Sequence, residues 1–305
     1  MESIRVVYNV PYAAPFSMMI TIYFYITGLH MGFYTTSVVA TLLGKREWKP
    51  IGKIGAVGAV VILCIAPIFL LVDLTQPFRF WHLFVHLNVT SPITWGTYFL
   101  TTYPLIGLFY AFFVLAGRQR PAKILGLIGF PIAVSVHGYT GFILALSKAR
   151  AFWNASINPI LFLVSAMVSG LALIILIANV RYRYLTKNET KEQREADFGI
   201  IRTMLTMLTV FILIDLVLLG SDMAVLGNSD IDSWEQLKVL TVGEFGFLFL
   251  VVEILVGEII PLGMLSFKRI RESFWGINIL SILIMAGIFA MRIVLVMGGQ
   301  HIQLH

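Results

Sequence analysis

The sequence predicts an all-α protein that crosses a lipid bilayer eight times. Of its 305 residues, 58% are hydrophobic and only 12% are charged, and the mean hydropathy is +0.88. The apolar residues fall into eight stretches, each able to supply the roughly 20 residues that a transmembrane helix needs. The connections between these stretches are too short to fold as a soluble domain, so function must lie within the bilayer or in contact with another protein.

The eight predicted spans follow one another along the whole chain. They are residues 15–43, 51–73, 93–117, 122–147, 157–179, 198–226, 237–267 and 275–298. We predict that they form two four-helix bundles, the first from residues 1–150 and the second from residues 151–305. Small residues in the fifth span would allow close packing against a neighbouring helix; these are Ser165, Ala166, Ser169 and Gly170.

Lysine and arginine are sorted between the two sets of loops. Most lie in the loops that follow odd-numbered spans, at Lys45, Arg46, Lys49, Lys53, Arg118, Arg120, Lys123, Arg181, Arg183, Lys187, Lys191, Arg194, Lys268, Arg269 and Arg271. The opposite side has Arg5, Arg79, Lys148, Arg150 and Lys238. The positive-inside rule therefore predicts a bacterial inner-membrane protein with both termini in the periplasm. The net charge of +6 is explained by this sorting and does not indicate nucleic-acid binding.

The outer loops have an unusual composition. Residues 74–92 and 148–156 are aromatic and apolar, with few residues that favour water. Such loops lie in the membrane interface or against another protein. We therefore predict that a partner protein docks on the outer face, the alternative being an ordinary aromatic belt.

Ionisable residues within the spans are costly to bury, and each is a functional hypothesis. Those of the last three spans form a candidate proton path and are Asp215, Asp222, Glu244, Glu253, Glu258 and Arg292. At 100° per residue the three glutamates do not share one helix face. A path along the seventh span alone is therefore not expected, whereas a path over several helices remains open. The alternative is a set of buried ion pairs with Arg292 or Arg79.

Histidine and cysteine limit the cofactors that the protein can hold. His30 and His137 are the intramembrane histidines that could ligate a b-type haem, and they would serve one haem at most. We expect neither haem nor an iron–sulfur cluster in this chain, because a single cysteine, Cys64, is too few to ligate a cluster. Cys64 is expected to be a small core residue. His82 and His86 have helical spacing, but nothing completes a metal site around them.

Three stretches of the sequence carry a family resemblance. The first is DLTQPFRFWH at residues 73–82, followed by TSPITWG at residues 90–96. The second is YTGFIL at 139–144, followed by NPILFLVSAMVSG at 158–170, and the third is RIVLVMGGQ at 292–300. Together they resemble the membrane subunits of the NrfD and polysulfide reductase (PsrC-like) family.

The resemblance implies a quinone- or quinol-binding membrane subunit of a respiratory oxidoreductase. Such a membrane subunit has no cofactor of its own. It would exchange electrons between the quinone pool and an extrinsic four-cluster iron–sulfur subunit on the periplasmic face. A molybdopterin or multihaem cytochrome subunit would complete the complex, and proton conduction is a further expectation.

The resemblance also implies which residues hold the quinone. Tyr139 would hydrogen-bond the head group, and Tyr23 would supply a second ligand, with His30 as the deeper alternative. A phenol hydroxyl can donate to a quinone carbonyl, and two-electron reduction needs two protons. His137 is two residues from Tyr139 and so points about 200° away from it, which favours a supporting role.

The edge of this site is expected to be formed by outer-loop residues. Asp73 and Arg79 would shape it, and an aromatic entrance would come from Phe78, Phe80, Trp81, Trp95 or Trp153. A secondary transporter and a b-haem anchor are the alternative functions. A transporter usually has helices broken near the midplane in corresponding halves, and Pro131 and Pro261 do not make that pattern convincingly.

Overall fold

The computed structural model describes residues 16–74, 76–147, 150, 152–187 and 189–301. Eight helices are long and apolar enough to cross a membrane, and the described residues form no strand. The prediction of an all-α protein with eight spans is confirmed. Arg5 and Lys148, which entered the charge pattern, lie outside the described residues.

The eight membrane helices are numbered here in order along the sequence. They are α1 (Met18–Leu43), α2 (Lys49–Asp73), α3 (Pro92–Leu115), α4 (Gln119–Ala145), α5 (Asn158–Tyr184), α6 (Lys191–Asn228), α7 (Phe247–Ser266) and α8 (Phe274–Gly298). Short helical segments lie between them, at Arg46–Trp48, Pro77–Arg79, His82–Val85, Ile231–Thr241 and Lys268–Arg271.

The helices alternate in direction, because short connections join antiparallel neighbours. Odd-numbered helices begin, and even-numbered helices end, at what we call the site end; the opposite end is the basic end. At the site end, the Gln300 side chain donates to the Phe16 carbonyl over 2.7 Å. At the basic end, Arg181 forms an ion pair with Asp197 over 2.7 Å. Polar contacts therefore tie the first and last helices together at one end and α5 to α6 at the other.

The centre of the bundle is formed by α1 and α5. α1 packs on α2, α4, α5 and α8, and α5 packs on α1, α4, α6 and α8. At the crossing of α1 and α5, a methyl group added to Gly32 would lie 2.5 Å from the Cα of Gly170. The predicted close packing of the fifth span is confirmed at Gly170. Because α1 and α5 pack directly, the two proposed bundles share a long interface, and their division near residue 150 stays a prediction.

The seventh span differs from its prediction. A separate helix, Ile231–Thr241, precedes it, and α7 begins only at Phe247. Gly243 lies in the intervening turn, where a methyl group would be 2.8 Å from the Cα of Val239. Glu244 lies in the same turn, exposed, with its carboxylate 3.8 Å from His301 Nε2. The prediction that Glu244 lies within the seventh span is therefore wrong, because the backbone turns sharply where hydropathy alone continued the helix.

Two stretches of π-helix interrupt the ordinary α-helical bonding. Residues Phe247–Ile259 of α7 are π-helical, and α8 ends in a π-helical segment, Val294–Gly298. A π-helix bonds each residue to the one five positions along and is frequent at functional sites. Both stretches lie next to ionisable residues considered below.

The outward surface of the bundle is apolar over most of its height. Exposed side chains on the spans include Val61, Leu105, Phe109 and Val217. Lipid chains rather than water solvate such a surface, so the protein is a multi-pass integral membrane protein. Cys64 belongs to this surface, and the expectation that it lies in the core is wrong.

Candidate functional site

Two tyrosines meet close to the site end. The hydroxyl oxygens of Tyr23 on α1 and Tyr139 on α4 are 2.5 Å apart. The rise of 1.5 Å per residue places them about 8–9 Å from the site-end limits of their helices. Tyr23 is 1% exposed and Tyr139 is 7% exposed. The structure thus brings together the two tyrosines that the family resemblance implied as quinone ligands.

Two glycines, from the sequence stretches that carry the family resemblance, leave room for the Tyr139 ring between the helices. A methyl group on Gly96 of α3 would lie 2.8 Å or less from three atoms of this ring. On α4, a methyl group on Gly141 would lie 2.6 Å from the Cα of Pro159 on α5. Without these two glycines α3 and α5 could not approach α4 so closely. Gly96 belongs to one of the family-like stretches, but its contact with Tyr139 depends on the packing of α3 on α4 and could not be predicted from the stretch itself.

The two hydroxyl groups of the tyrosine pair carry two protons, and the hydrogen bond between them uses only one. One phenol donates to the other, and the accepting phenol keeps its own proton. If Tyr23 donates to Tyr139, the Tyr139 hydroxyl can donate to a ligand oxygen. A carbonyl group that reaches Tyr139 would therefore find a hydrogen-bond donor at a site closed on its inner side by Tyr23.

Asp73 and Arg79 lie at the site end but do not join the tyrosine pair. The Ser17 hydroxyl donates to Asp73 Oδ1 and so ties the start of α1 to the end of α2. Arg79 is exposed in the Pro77–Arg79 turn. Among the described residues, no hydrogen bond connects either side chain to Tyr23 or Tyr139.

Exposed aromatic side chains lie at the site end, in the loop before α3 and in the first turn of α3. Phe78 is 91% exposed, and Trp81 and Trp95 are about half exposed. Trp153, which was also predicted at this entrance, is instead buried. Its indole nitrogen donates to the Leu295 carbonyl over 2.6 Å, so it fastens the loop after α4 to the end of α8.

The two intramembrane histidines are buried and face different helices. His30 Nδ1 lies 2.5 Å from the Thr27 carbonyl oxygen, and His137 Nε2 lies 2.8 Å from that of Phe162. Because a carbonyl can only accept, these two nitrogens carry the ring protons. The other nitrogens, His30 Nε2 and His137 Nδ1, have no hydrogen-bond partner among the described residues. His137 therefore faces α5 while Tyr139 faces α1, as the offset between them predicts.

Arg292 lies in the protein interior at the meeting of four helices. It is 0% exposed, and its Nη2 donates to the Ser165 hydroxyl over 2.7 Å and to the Phe162 carbonyl over 3.2 Å. Its guanidinium carbon also lies 4.0 Å from the centre of the Phe162 ring. Among the described residues, Arg292 forms no ion pair of 4.0 Å or less with a carboxylate.

The π-helix changes the relation between Glu253 and Glu258. In an α-helix these residues would point about 140° apart. With about 4.4 residues per turn, a π-helix reduces this angle to about 50°. Both side chains are consequently buried in the protein interior. The prediction that they lie on different faces is wrong for this pair, because hydropathy does not reveal a change in helical bonding.

Many carboxylate oxygens of this cluster lack partners. Both oxygens of Asp215 and Glu258, and one oxygen each of Glu253 and Asp222, accept no hydrogen bond within the described part of the protein. All four side chains are buried. Asp222 follows Asp215 by two helical turns and so lies on the same face, nearer the site end.

A close helix contact holds this cluster in place. A methyl group on Gly257 would lie 2.5 Å from the Cα of Gly287. The backbones of α7 and α8 therefore touch one turn away from Glu253, which keeps that carboxyl group near Arg292.

The comparison with known proteins agrees with this architecture. The family model described as polysulphide reductase NrfD matches residues 6–303. The C subunit of selenate reductase from Mesobacillus selenatarsenatis is 26% identical over 319 aligned positions, which cover 92% of this chain and 72% of that protein. The corresponding C component of polysulfide reductase from Wolinella succinogenes is 24% identical over 303 positions, covering 92% of this chain and 93% of that protein.

A third relative is archaeal. The Hdr-like menaquinol oxidoreductase integral membrane subunit of Archaeoglobus fulgidus is 26% identical over 178 positions, which cover 58% of this chain and 43% of that protein. Since the family model spans nearly the whole chain, the protein belongs to the polysulphide reductase NrfD family.

Proposed function

We propose that this protein is the quinone-reactive membrane subunit of a respiratory oxidoreductase complex. The family supports its place as a membrane subunit of such a complex, since relatives are named as components of selenate reductase, polysulfide reductase and a menaquinol oxidoreductase. The quinone, menaquinone or ubiquinone, is the substrate of this subunit and not a resident cofactor.

The single observation that supports quinone binding best is the buried Tyr23–Tyr139 hydroxyl pair. A quinone carbonyl oxygen gains negative charge as electrons arrive, and a positioned hydroxyl donor stabilises that charge. Tyr139 is the more exposed of the two and is the proposed donor to the carbonyl. Tyr23 orients it from behind, whereas His30 lies deeper and is not proposed as a direct ligand.

The exposed aromatic side chains support a docking role for the site end. Phe78 and Trp81 are exposed apolar side chains at the same end of the bundle as the tyrosine pair. We assign this surface to an extrinsic iron–sulfur subunit, with a molybdopterin or multihaem cytochrome subunit beyond it. The sorted charges support a bacterial inner membrane with this face in the periplasm. Asp73 and Arg79 would then lie at the edge between the two subunits.

Proton conduction is a second proposed role, supported by the cluster around Arg292. Buried carboxyl groups without a full set of protein partners are stable when they bind a proton or water. Either state suits a group that passes protons on. We propose Glu258, Asp215 and Glu253 as the conducting groups, with Asp222 nearer the site end. Glu244 is not included, because it is exposed outside the span.

Replacement of Tyr139 by phenylalanine tests the quinone proposal. In the intact complex, Tyr139→Phe should lower quinone-linked electron transfer by at least about 10²-fold, the lower limit for loss of a general acid. Tyr98→Phe is the matched control, since Tyr98 is a partly exposed tyrosine at the same end. Both variants should assemble normally. Wild-type turnover in Tyr139→Phe would overturn the assignment.

Replacement of Glu253 by glutamine tests the conducting role. Glu253→Gln should slow proton transfer across vesicle membranes that contain the complex, whereas Glu244→Gln, which removes an exposed carboxylate, should not. Equal proton transfer rates in the two variants would show that Glu253 has a structural role only.

A further inference from the structure

One face of α1 is polar along its whole length. The residues on it alternate in spacing of four and three and therefore share one side of the helix; they are Tyr23, Thr27, His30, Tyr34, Ser37 and Thr41. We propose that this face, together with tyrosines of α3, is a proton path from the basic end to the tyrosine pair. The proposal rests on the quinone function given above and is separate from the cluster around Arg292.

The polar face is buried and long enough to cross the bilayer. All six side chains are buried in the protein. From Tyr23 to Thr41 the helix rises about 27 Å, close to the roughly 30 Å thickness of the hydrocarbon layer. Serine and threonine can satisfy themselves by bonding to their own helix, as Thr27 does with the Tyr23 carbonyl over 2.8 Å. The Tyr34 hydroxyl donates to the Leu125 carbonyl over 3.3 Å, and His30 Nδ1 donates to the Thr27 carbonyl. The Tyr23 and Tyr110 hydroxyls instead bond other side chains.

The part of the path nearest the basic end is directly hydrogen-bonded. The hydroxyl of Tyr110 on α3 lies 2.8 Å from Ser37 Oγ and 3.0 Å from Thr41 Oγ1. The Tyr110 ring lies 5.1 Å from that of Tyr34. The Tyr34 hydroxyl occupies the space over Gly129, where any larger residue would displace it.

The middle of the path contains two polar atoms that could each form a further hydrogen bond. The Tyr103 ring lies 5.2 Å from the Tyr34 ring and 5.1 Å from the His30 ring. Within the described residues, neither the Tyr103 hydroxyl nor His30 Nε2 has a hydrogen-bond partner. The hydroxyl is a donor, and the bare ring nitrogen is an acceptor. His30 Nε2 is thus suited to take up a proton and to return it, while Nδ1 keeps its bond to the Thr27 carbonyl.

The path opens at the basic end into a cavity of about 140 Å³. Thr41 lines this cavity, together with Trp48, Lys49, Lys53 and residues of α3 and α4. A water molecule takes about 30 Å³ of liquid volume, so several fit. The Thr41 hydroxyl therefore meets water at the end of this series of side chains.

The proton path supplies the protons that quinone reduction takes up. Quinone reduction takes two electrons, which the iron–sulfur partner supplies, and two protons. Tyr139 gives its hydroxyl proton to the carbonyl oxygen that it bonds and recovers one from Tyr23, which is resupplied from the His30 side. The second proton follows the same series of side chains once the other oxygen of the head group faces Tyr139. Quinol oxidation runs the same transfers in reverse. In both directions the protons exchange with the compartment at the basic end.

Removal of the Tyr110 hydroxyl tests the path. The intact complex is reconstituted in vesicles, with a pH indicator in the compartment that faces the basic end. In Tyr110→Phe we expect quinone-linked turnover to fall at least 10-fold, with proton exchange on that side falling in step, while bound quinone is retained. Tyr25→Phe is the control, because the Tyr25 hydroxyl donates to the Met285 carbonyl on α8 over 3.1 Å, away from the polar face.

The outcomes separate this inference from the quinone proposal. Should Tyr110→Phe not fold, Ser37→Ala removes the neighbouring hydroxyl and should act in the same direction. Wild-type proton exchange in the folded variant refutes the path and leaves the quinone proposal standing. A wild-type complex that does not turn over with quinone refutes both. Loss of exchange only in Glu253→Gln assigns the protons to the other cluster and also refutes the path.

Discussion

Gly96 offers a way to move Tyr139 without changing it. A methyl group at this position would lie 2.8 Å or less from Cε2, Cδ2 and Cζ of the Tyr139 ring. Ordinary carbon–carbon contact distances are about 3.5–4.0 Å, so Gly96→Ala must displace the ring by about 1 Å. The ring is buried and its hydroxyl is bonded to Tyr23 over 2.5 Å, so such a displacement also disturbs the pair.

A displacement of about 1 Å in a reacting group can lower a rate by about 10²-fold. We therefore expect Gly96→Ala to lower quinone-linked electron transfer in the intact complex by about that factor. The matched control is Gly107→Ala on the same helix, where a methyl group meets only Val60 Cγ2, at 3.8 Å. There, alanine should leave turnover unchanged and stabilise the helix slightly.

A double variant shows whether Gly96 acts through Tyr139. If it does, Gly96→Ala combined with Tyr139→Phe should be no slower than Tyr139→Phe alone, because residues in contact are not additive. Additive losses would place the effect of Gly96 elsewhere. Equal turnover in Gly96→Ala and Gly107→Ala would refute the reasoning about the position of Tyr139.

Three further predictions concern stability. Arg292→Met removes the hydrogen bonds to the Ser165 hydroxyl and the Phe162 carbonyl and should lower the free energy of unfolding by about 1–3 kcal/mol, whereas the exposed Arg202→Met should change it by at most about 1 kcal/mol; thermal melting in detergent compares them. Gly257→Ala forces α7 from α8 and should destabilise by about 1–3 kcal/mol, while Gly263→Ala, with nothing within 4 Å, should not. Asp230 caps the short helix that follows it, and hydrogen bonds from the Ser233 side chain and backbone hold its pKa below the usual range. The stabilisation of that helix by the Asp230 carboxylate is present above the ordinary pKa of aspartate and is lost as the pH falls through the lowered pKa. Hydrogen exchange in that helix should therefore rise only below about pH 4.

Hydropathy was sufficient to find the eight spans, because each must be apolar to face lipid. Hydropathy did not reveal the hydrogen-bonding pattern of the backbone within a span. The π-helix of α7 changes which side Glu253 and Glu258 face, yet it leaves hydropathy unaltered. Glu244 was misplaced for a related reason, since the turn around Gly243 is flanked on both sides by apolar sequence.

The candidate site was predictable in part. The resemblance pointed to Tyr139 and Tyr23, but their direct contact depends on the crossing of α1 and α4, which no local pattern gives. The polar face of α1 had a visible signal in its spacing of four and three residues. Tyrosine, threonine and serine lower hydropathy only slightly, so an uncharged polar stripe is hidden within an apolar helix. The buried position of Trp153 depended on a carbonyl of α8 and had no signal in the sequence.

The central claim is that this protein binds quinone within a larger redox complex. The most direct measurement is gentle purification with all attached components, followed by mass spectrometry of the co-purifying proteins and of extracted quinone. We expect an iron–sulfur protein and a bound quinone in the wild type. In Gly96→Ala we expect a smaller amount of bound quinone. A protein that purifies alone, without quinone or a redox partner, would contradict the claim.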